Sequence, residues 1–178
     1  MFRGNLIFAT LQIIALISAP VAQPGRASGR WSPLPALPPP ALQRGDLAII
    51  VNKTNAVENL SLAELREYFL AERSHWSTRQ KIRAAMREPG SPERDVVLRL
   101  VCGMDREQDF TAYFLRAKFS EQVVEEPRSL NSTPNMLRFV ANVPGAIGYV
   151  RADEVDPSVR VIRVDNLLPG DPGYKLKF

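Results

Sequence analysis

The 178 residues carry 23 Lys and Arg against 19 Asp and Glu, a net charge of +4, with ordinary apolar and charged fractions. That length predicts one folded domain, and so mild and dispersed a charge gives no ground for a nucleic-acid partner. A single cysteine, Cys102, excludes an internal disulfide, and a single histidine, His75, leaves zinc without its usual ligands, so no metal or other cofactor is expected.

Residues 1–22 read as a targeting segment. Arg3 supplies the positive start, and Leu6–Ala19 is an apolar run of signal-sequence length, short for a membrane span. A cleaved secretory signal is expected, with an uncleaved N-terminal anchor as the alternative. Ala19 or Ala27 could end it; Pro20 disfavours Ala22. Residues 23–44 are rich in Pro and small side chains and hold no acid. Consecutive Pro38, Pro39 and Pro40 favour polyproline II, so this is a linker. The folded unit, 45–178, then begins near Gly45.

Leu47–Asn52 is a continuous apolar run, which predicts a strand buried on both faces. Lys53–Leu60 reads as a loop. Ser61 and Glu64 have capping-box spacing, with Leu60 and Leu65 placed for a hydrophobic staple. Leu62, Leu65 and Phe69 share one face of the helix that begins there. Arg73–Arg87 is the most basic window of the domain, with Arg73, Arg79, Lys81, Arg83 and Arg87 and no acid. It reads either as a solvated loop and strand edge or as a positive rim beside the next helix. Lys81–Met86 is a predicted strand.

The Glu88-Pro89-Gly90 turn leads to Ser91, a good N-cap, then Pro92 at the first helical position and Glu93 and Asp95 in the first turn. Val97, Leu100 and Val101 fall on one face of this helix, and Gly103 caps its end. Cys102, inside an apolar run, is expected to be core and not a reactive thiol. Asp105 with Gln108 predicts the next helix start, and Phe110, Tyr113, Phe114 and Ala117 its buried stripe. Glu121–Leu130 reads as mixed loop, with Val123 and Val124 a short extended piece. Thr133-Pro134 repeats the cap-plus-proline pattern, and Met136, Phe139 and Val140 face the core. Pro144-Gly145 ends that helix. Ala146–Val150 reads as a buried strand in which Gly148 implies close backbone approach. Arg160–Val164 alternates like an edge strand, and Pro169–Tyr174 is a turn-rich tail. Strands alternating with helices predict an α/β fold, a mixed sheet flanked by helices on both faces.

A turn feeding a helix N-terminus leaves main-chain N–H groups unpaired, and oxyanions dock on such groups. Arg87 lies beside that turn. Arg87, Gly90 and Ser91 are therefore the candidate anion-binding residues, against the plainer alternative of an ordinary capped helix. No nucleophile–base order, HExxH, phosphate loop, dinucleotide fingerprint or paired-cysteine spacing is present, so an enzyme is not expected.

Several phrases, in order, resemble the phosphate-binding periplasmic proteins of ABC transporters, within the type 2 periplasmic-binding-protein superfamily. They are LAIIVN, SLAELREYFLAERSHW, REPGS before a helix, MLRFVANVPGAIGYV and the closing DPGYKL. The resemblance implies one α/β lobe of a two-lobe family, the second lobe with its crossing strands. It also implies that Arg87, Gly90 and Ser91 take the place of the family's Arg and Gly-Ser phosphate contacts. The family's next Gly is Pro92 here, which removes a donor, and its Thr is Glu93, which sets a carboxylate where phosphate would sit. A periplasmic or secreted protein that binds phosphate or a similar oxyanion weakly is therefore expected. The alternative is a non-binding interaction module that meets an envelope protein or a second copy of itself. Membrane contact is expected only through residues 1–22, if uncleaved.

Overall fold

The computed structural model describes residues 45–120 and 125–178. The expected targeting segment, the linker and the extended piece at Val123 and Val124 lie outside the described residues.

β1 (Leu47–Val51) is buried along its whole length. Side chains alternate across a strand, so Leu47, Ile49 and Val51 enter one apolar cluster and Ala48 and Ile50 the other. β1 pairs antiparallel with β5 (Ala146–Arg151) on one side and β6 (Arg160–Val161) on the other. Beyond β5 come β3 (Arg83–Arg87) and the edge strand β4 (Arg128–Leu130), paired in parallel. The order β4-β3-β5-β1-β6 makes one mixed sheet. β2 (Asn59–Leu60) pairs in parallel with β7 (Arg163–Val164) in a separate two-stranded ribbon.

One face of the large sheet is covered by α1 (Leu62–Phe69), by α2 (Pro92–Val97) with the π-helical turn Leu98–Cys102 that continues it, and by α3 (Glu107–Phe119). α4 (Thr133–Asn142) covers the other. The mixed sheet with helices on both faces is thus the expected fold class. Ser61 and Glu64 form the reciprocal capping box, Gly103 caps the π turn in the left-handed region, and Cys102 is buried. A Cβ on Gly148 would lie 2.6 Å from Met136 Sδ, which is the close approach expected there. Gly145 is a junction: its carbonyl accepts from Trp76 Nε1 at 2.9 Å and from Arg83 N at 3.1 Å.

Several local expectations are corrected. Leu100 is 37% exposed while Val97, Leu98, Val101 and Cys102 are buried, because the wider π turn adds a residue and rotates the inward face. Asp105 is not a cap: α3 starts at Glu107 after Arg106, whose guanidinium instead holds Asp109. The cap of α4 is Ser132, which accepts from Asn135 N, one residue before Thr133. Arg160–Val164 is two short strands in different sheets, separated by buried Ile162. The tail is core: Tyr174 and Leu176 are buried, Tyr174 Oη donates to Leu47 O at 2.6 Å, and Leu47 N donates to Leu176 O at 2.8 Å.

Candidate functional site

β3 carries Arg87 to its C-terminal end, and residues 88–90 turn the chain into α2. Gly90 has φ +85°, a conformation that an L side chain adopts only at a cost, and nothing lies within 4 Å of a Cβ added there. Ser91 N donates to Glu88 O at 3.2 Å, and Ser91 Oγ accepts from Arg94 N at 3.3 Å. The hydroxyl is thus the expected N-cap, while the Ser91 N–H, expected to be free for a ligand, is already engaged within the turn.

Arg87 is held through its main chain. Its N–H donates to the buried Tyr149 hydroxyl at 2.9 Å, and its carbonyl accepts from Arg94 Nη1 at 2.7 Å. Its side chain is different. Nε and Nη1 are closed off from solvent and neither has a hydrogen-bond partner. Buried guanidinium donors without an acceptor are uncommon and costly.

Glu93 is only 7% exposed. Its Oε1 accepts from Arg151 Nε at 2.6 Å, and Arg151 in turn lies over the Phe178 ring, 4.9 Å from its centroid. Burial pushes the Glu93 carboxyl up, but the Arg151 hydrogen bond, its own main-chain N–H and the charges of Arg151 and Arg87 together hold it below the ordinary value. Glu93 is thus an internal anion at the helix start, with a cation of its own. Because its folded pKa is lowered, its contribution to stability is complete above about pH 4.3, the unfolded value, and is lost as pH falls through the folded one. Denaturant unfolding of wild type and E93Q should therefore differ at neutral pH and converge in acid. A gap that does not narrow as the pH falls through the carboxylate range would contradict the pairing.

Arg94 is the buried member of the group. Nε and Nη2 grip the two oxygens of Glu107 at 2.8 and 2.7 Å, and its guanidinium lies 4.9 Å from the Phe110 ring centre. It ties α2 to α3 and to the end of β3.

The basic window does not form a rim here. Arg73 meets Glu64 at 4.0 Å and Glu67 at 3.8 Å, and Lys81 and Arg83 both pair with Glu125. These residues precede β3 or begin it, at the opposite end of the strand from the turn; only Arg87 reaches it. His75 is exposed and contacts Ser74. Among the described residues no cluster of His, Cys, Asp and Glu could hold a metal ion. Burial pushes the Cys102 thiol up to about 12. No described helix is long and apolar enough to cross a membrane.

The structure thus gathers Arg87, Gly90 and Ser91 at one strand-to-helix junction and adds Tyr149, Arg94 and Arg151, which the sequence did not single out. Arg94 carried a signal, a cation in a first helical turn, where the helix dipole disfavours it unless it has a partner. Arg151 carried none, since it lies 58 residues from Glu93.

No family model matches the sequence. Solved structures do. An ABC-type phosphate transport receptor from Vibrio cholerae superposes with a TM-score of 0.57 at 25% identity, over 72% of this chain and 49% of that one. A Clostridium perfringens protein, described as a phosphate ABC transporter substrate-binding protein and holding phosphate, gives 0.58 at 22% identity over 72% and 48%. PstS from Borrelia burgdorferi gives 0.57 at 15% identity over 75% and 54%. The chain therefore spans about half the length of these proteins. It has the α/β fold of the phosphate-binding proteins of ABC transporters, in a short, single-lobe form.

Proposed function

We propose that the chain is a secreted, periplasmic solute-binding-like protein that binds phosphate or a similar oxyanion weakly through Arg87, Gly90 and Ser91. The observation that carries this reading is Arg87, whose Nε and Nη1 are buried with no acceptor beside an open glycine turn. Phosphate-binding neighbours of the same fold support it. Binding is weak for three reasons. Ser91 N–H is engaged by Glu88 O, Pro92 has no N–H to give, and the Glu93 carboxylate repels a second anion.

Phosphate and sulfate titrations of the full chain, followed by thermal unfolding, test it. A ligand at about ten times its Kd adds about 1.4 kcal/mol, so even a millimolar site registers at tens of millimolar. Arg87→Ala should abolish the stabilisation, and Glu93→Thr should strengthen it. No stabilisation of either wild type or E93T would end this reading.

The Glu93–Arg151 pair favours a second one. Here the internal carboxylate takes the ligand's place, and the domain is an interaction module for an envelope protein or a second copy of itself. Failure of E93T to bind phosphate would select it.

A further inference from the structure

Between α1 and β3 the chain doubles back in a short antiparallel hairpin. Trp76 N donates to Gln80 O at 2.9 Å, Ile82 N donates to Ser74 O at 2.8 Å, and His75 lies opposite Lys81. Trp76 fastens the hairpin to the core. Its ring meets that of Tyr68 edge-on, with centroids 4.9 Å apart, and its Nε1 donates to the Gly145 carbonyl.

The hairpin, the end of α1 and the start of β3 enclose a cavity of about 310 Å³, with Tyr68, Ala71, Ile82 and Ala84 in its wall. Ala71 has φ +55°, in the left-handed position past a helix end where glycine is the usual occupant. A methyl group thus stands in the wall at a conformational cost that glycine would avoid. Tyr68 is 3% exposed. Its hydroxyl has no hydrogen-bond partner among the described residues, yet it is not sealed from solvent as the unpaired donors of Arg87 are. Burial raises the Tyr68 pKa, so the hydroxyl keeps its proton and remains a donor without an acceptor.

The mouth of the cavity decides the charge of a guest. Arg73 and Lys81 line it against one acid, Glu125, which Arg83 shares. Arg73 meets Glu64 and Glu67 only at 4.0 and 3.8 Å. The side chains in these pairs are 41–53% exposed, so water screens them and the cations can exchange partners. An apolar wall, a nearly buried donor and cations at the entrance fit an amphipathic anion. The volume lies at the small end of the roughly 300–1,000 Å³ of ligand pockets, which limits the guest to about one ring. We propose that this cavity binds a small carboxylate with an apolar body, its body against Ala71 and Ile82 and its oxygens toward the Tyr68 hydroxyl, Arg73 and Lys81. The site stands apart from the junction at Arg87: Lys81 and Ile82 precede β3, whose far end carries Arg87.

The test is a titration of the ¹⁵N-labelled full chain with sodium benzoate, with benzamide, and with sodium acetate and sodium chloride at matched ionic strength. The main-chain N–H signals of Ala71, Ile82 and Ala84 and the Trp76 indole signal should shift saturably with benzoate and not with chloride. Benzamide, which lacks the charge, and acetate, which lacks the ring, should both bind more weakly than benzoate. Tyr68→Phe keeps the ring beside Trp76 and removes only the donor, so it should raise the benzoate midpoint about three- to tenfold, the size of one hydrogen bond to a charged acceptor where water competes. Lys81→Gln, at a half-exposed position, should raise it about two- to fivefold, the size of one exposed charge contact. Arg87→Ala should leave the titration unchanged. Shifts linear in benzoate, benzamide binding as tightly as benzoate, or midpoints unmoved in both Y68F and K81Q would overturn the proposal.

Discussion

Replacing Arg94 by Met should lower the unfolding free energy of the full chain by about 3 kcal/mol, measured by denaturant titration. The guanidinium makes three hydrogen bonds, two to Glu107 and one to the Arg87 carbonyl, and its side chain is 6% exposed. Methionine fills much of the space beside Phe110 but leaves the Glu107 carboxylate and the Arg87 carbonyl without their donor. Removing one partner of a buried ion pair costs about 3–5 kcal/mol; the value here sits at the low end because the Glu107 side chain is 28% exposed and water screens it. Arg94→Lys should recover only part of the loss, since an ammonium cannot supply the parallel pair of N–H donors. Arg106→Met, which breaks the open, solvent-screened Arg106–Asp109 pair, should cost far less. Equal losses for R94M and R106M would show that Arg94 does not join α2, α3 and β3.

Gly145→Ala should cost about 3 kcal/mol or more by the same measurement. Two effects add. The residue has φ +80°, where an L side chain pays about 1–2 kcal/mol. The new Cβ would also lie 2.2 Å from the Lys81 carbonyl oxygen, a main-chain atom that cannot swing aside as the end of a side chain can. Gly173→Ala isolates the first effect. It has φ +88°, but its nearest neighbour would be Leu167 Cδ1 at 3.8 Å, so only the conformational cost of about 1–2 kcal/mol applies. If G145A and G173A cost the same, relaxation relieves the contact with Lys81 and the junction has slack.

The parts of the fold legible in the sequence are those that short-range chemistry decides. The Ser61–Glu64 box, Pro92 at the head of α2 and Gly103 past the π turn each involve groups within five residues of one another. The apolar runs of β1 and β5 announce burial on both faces without any knowledge of their partners. What escaped depends on distant chain. The π turn at Leu98–Cys102 leaves no mark on a 3.6-residue count, so Leu100 falls on the wrong side of that count. β4 is a three-residue edge strand of mixed polarity, and only β3 beside it makes it one. Tyr174 and Leu176 read as tail because the strand they complete lies at the other end of the domain. The same division runs through the candidate site. Arg87, Gly90 and Ser91 are near each other because they are near in sequence. The residues that decide how available they are, Tyr149 and Arg151 above all, come from β5.

β1 takes its place between β5 and β6, with partners about a hundred positions downstream: Leu47 faces Arg151 and Val51 faces Arg160. During synthesis this strand stays single until residues about a hundred positions downstream have emerged, and loop-closure entropy must be met before its ladder bonds to β5 and β6 form. Local pieces such as α1 can form beforehand, but the sheet assembles only once β5 and β6 have emerged. A nascent chain arrested before Ala146 should therefore remain sensitive to protease throughout β1, and one that extends past Leu176 should become resistant in a single step.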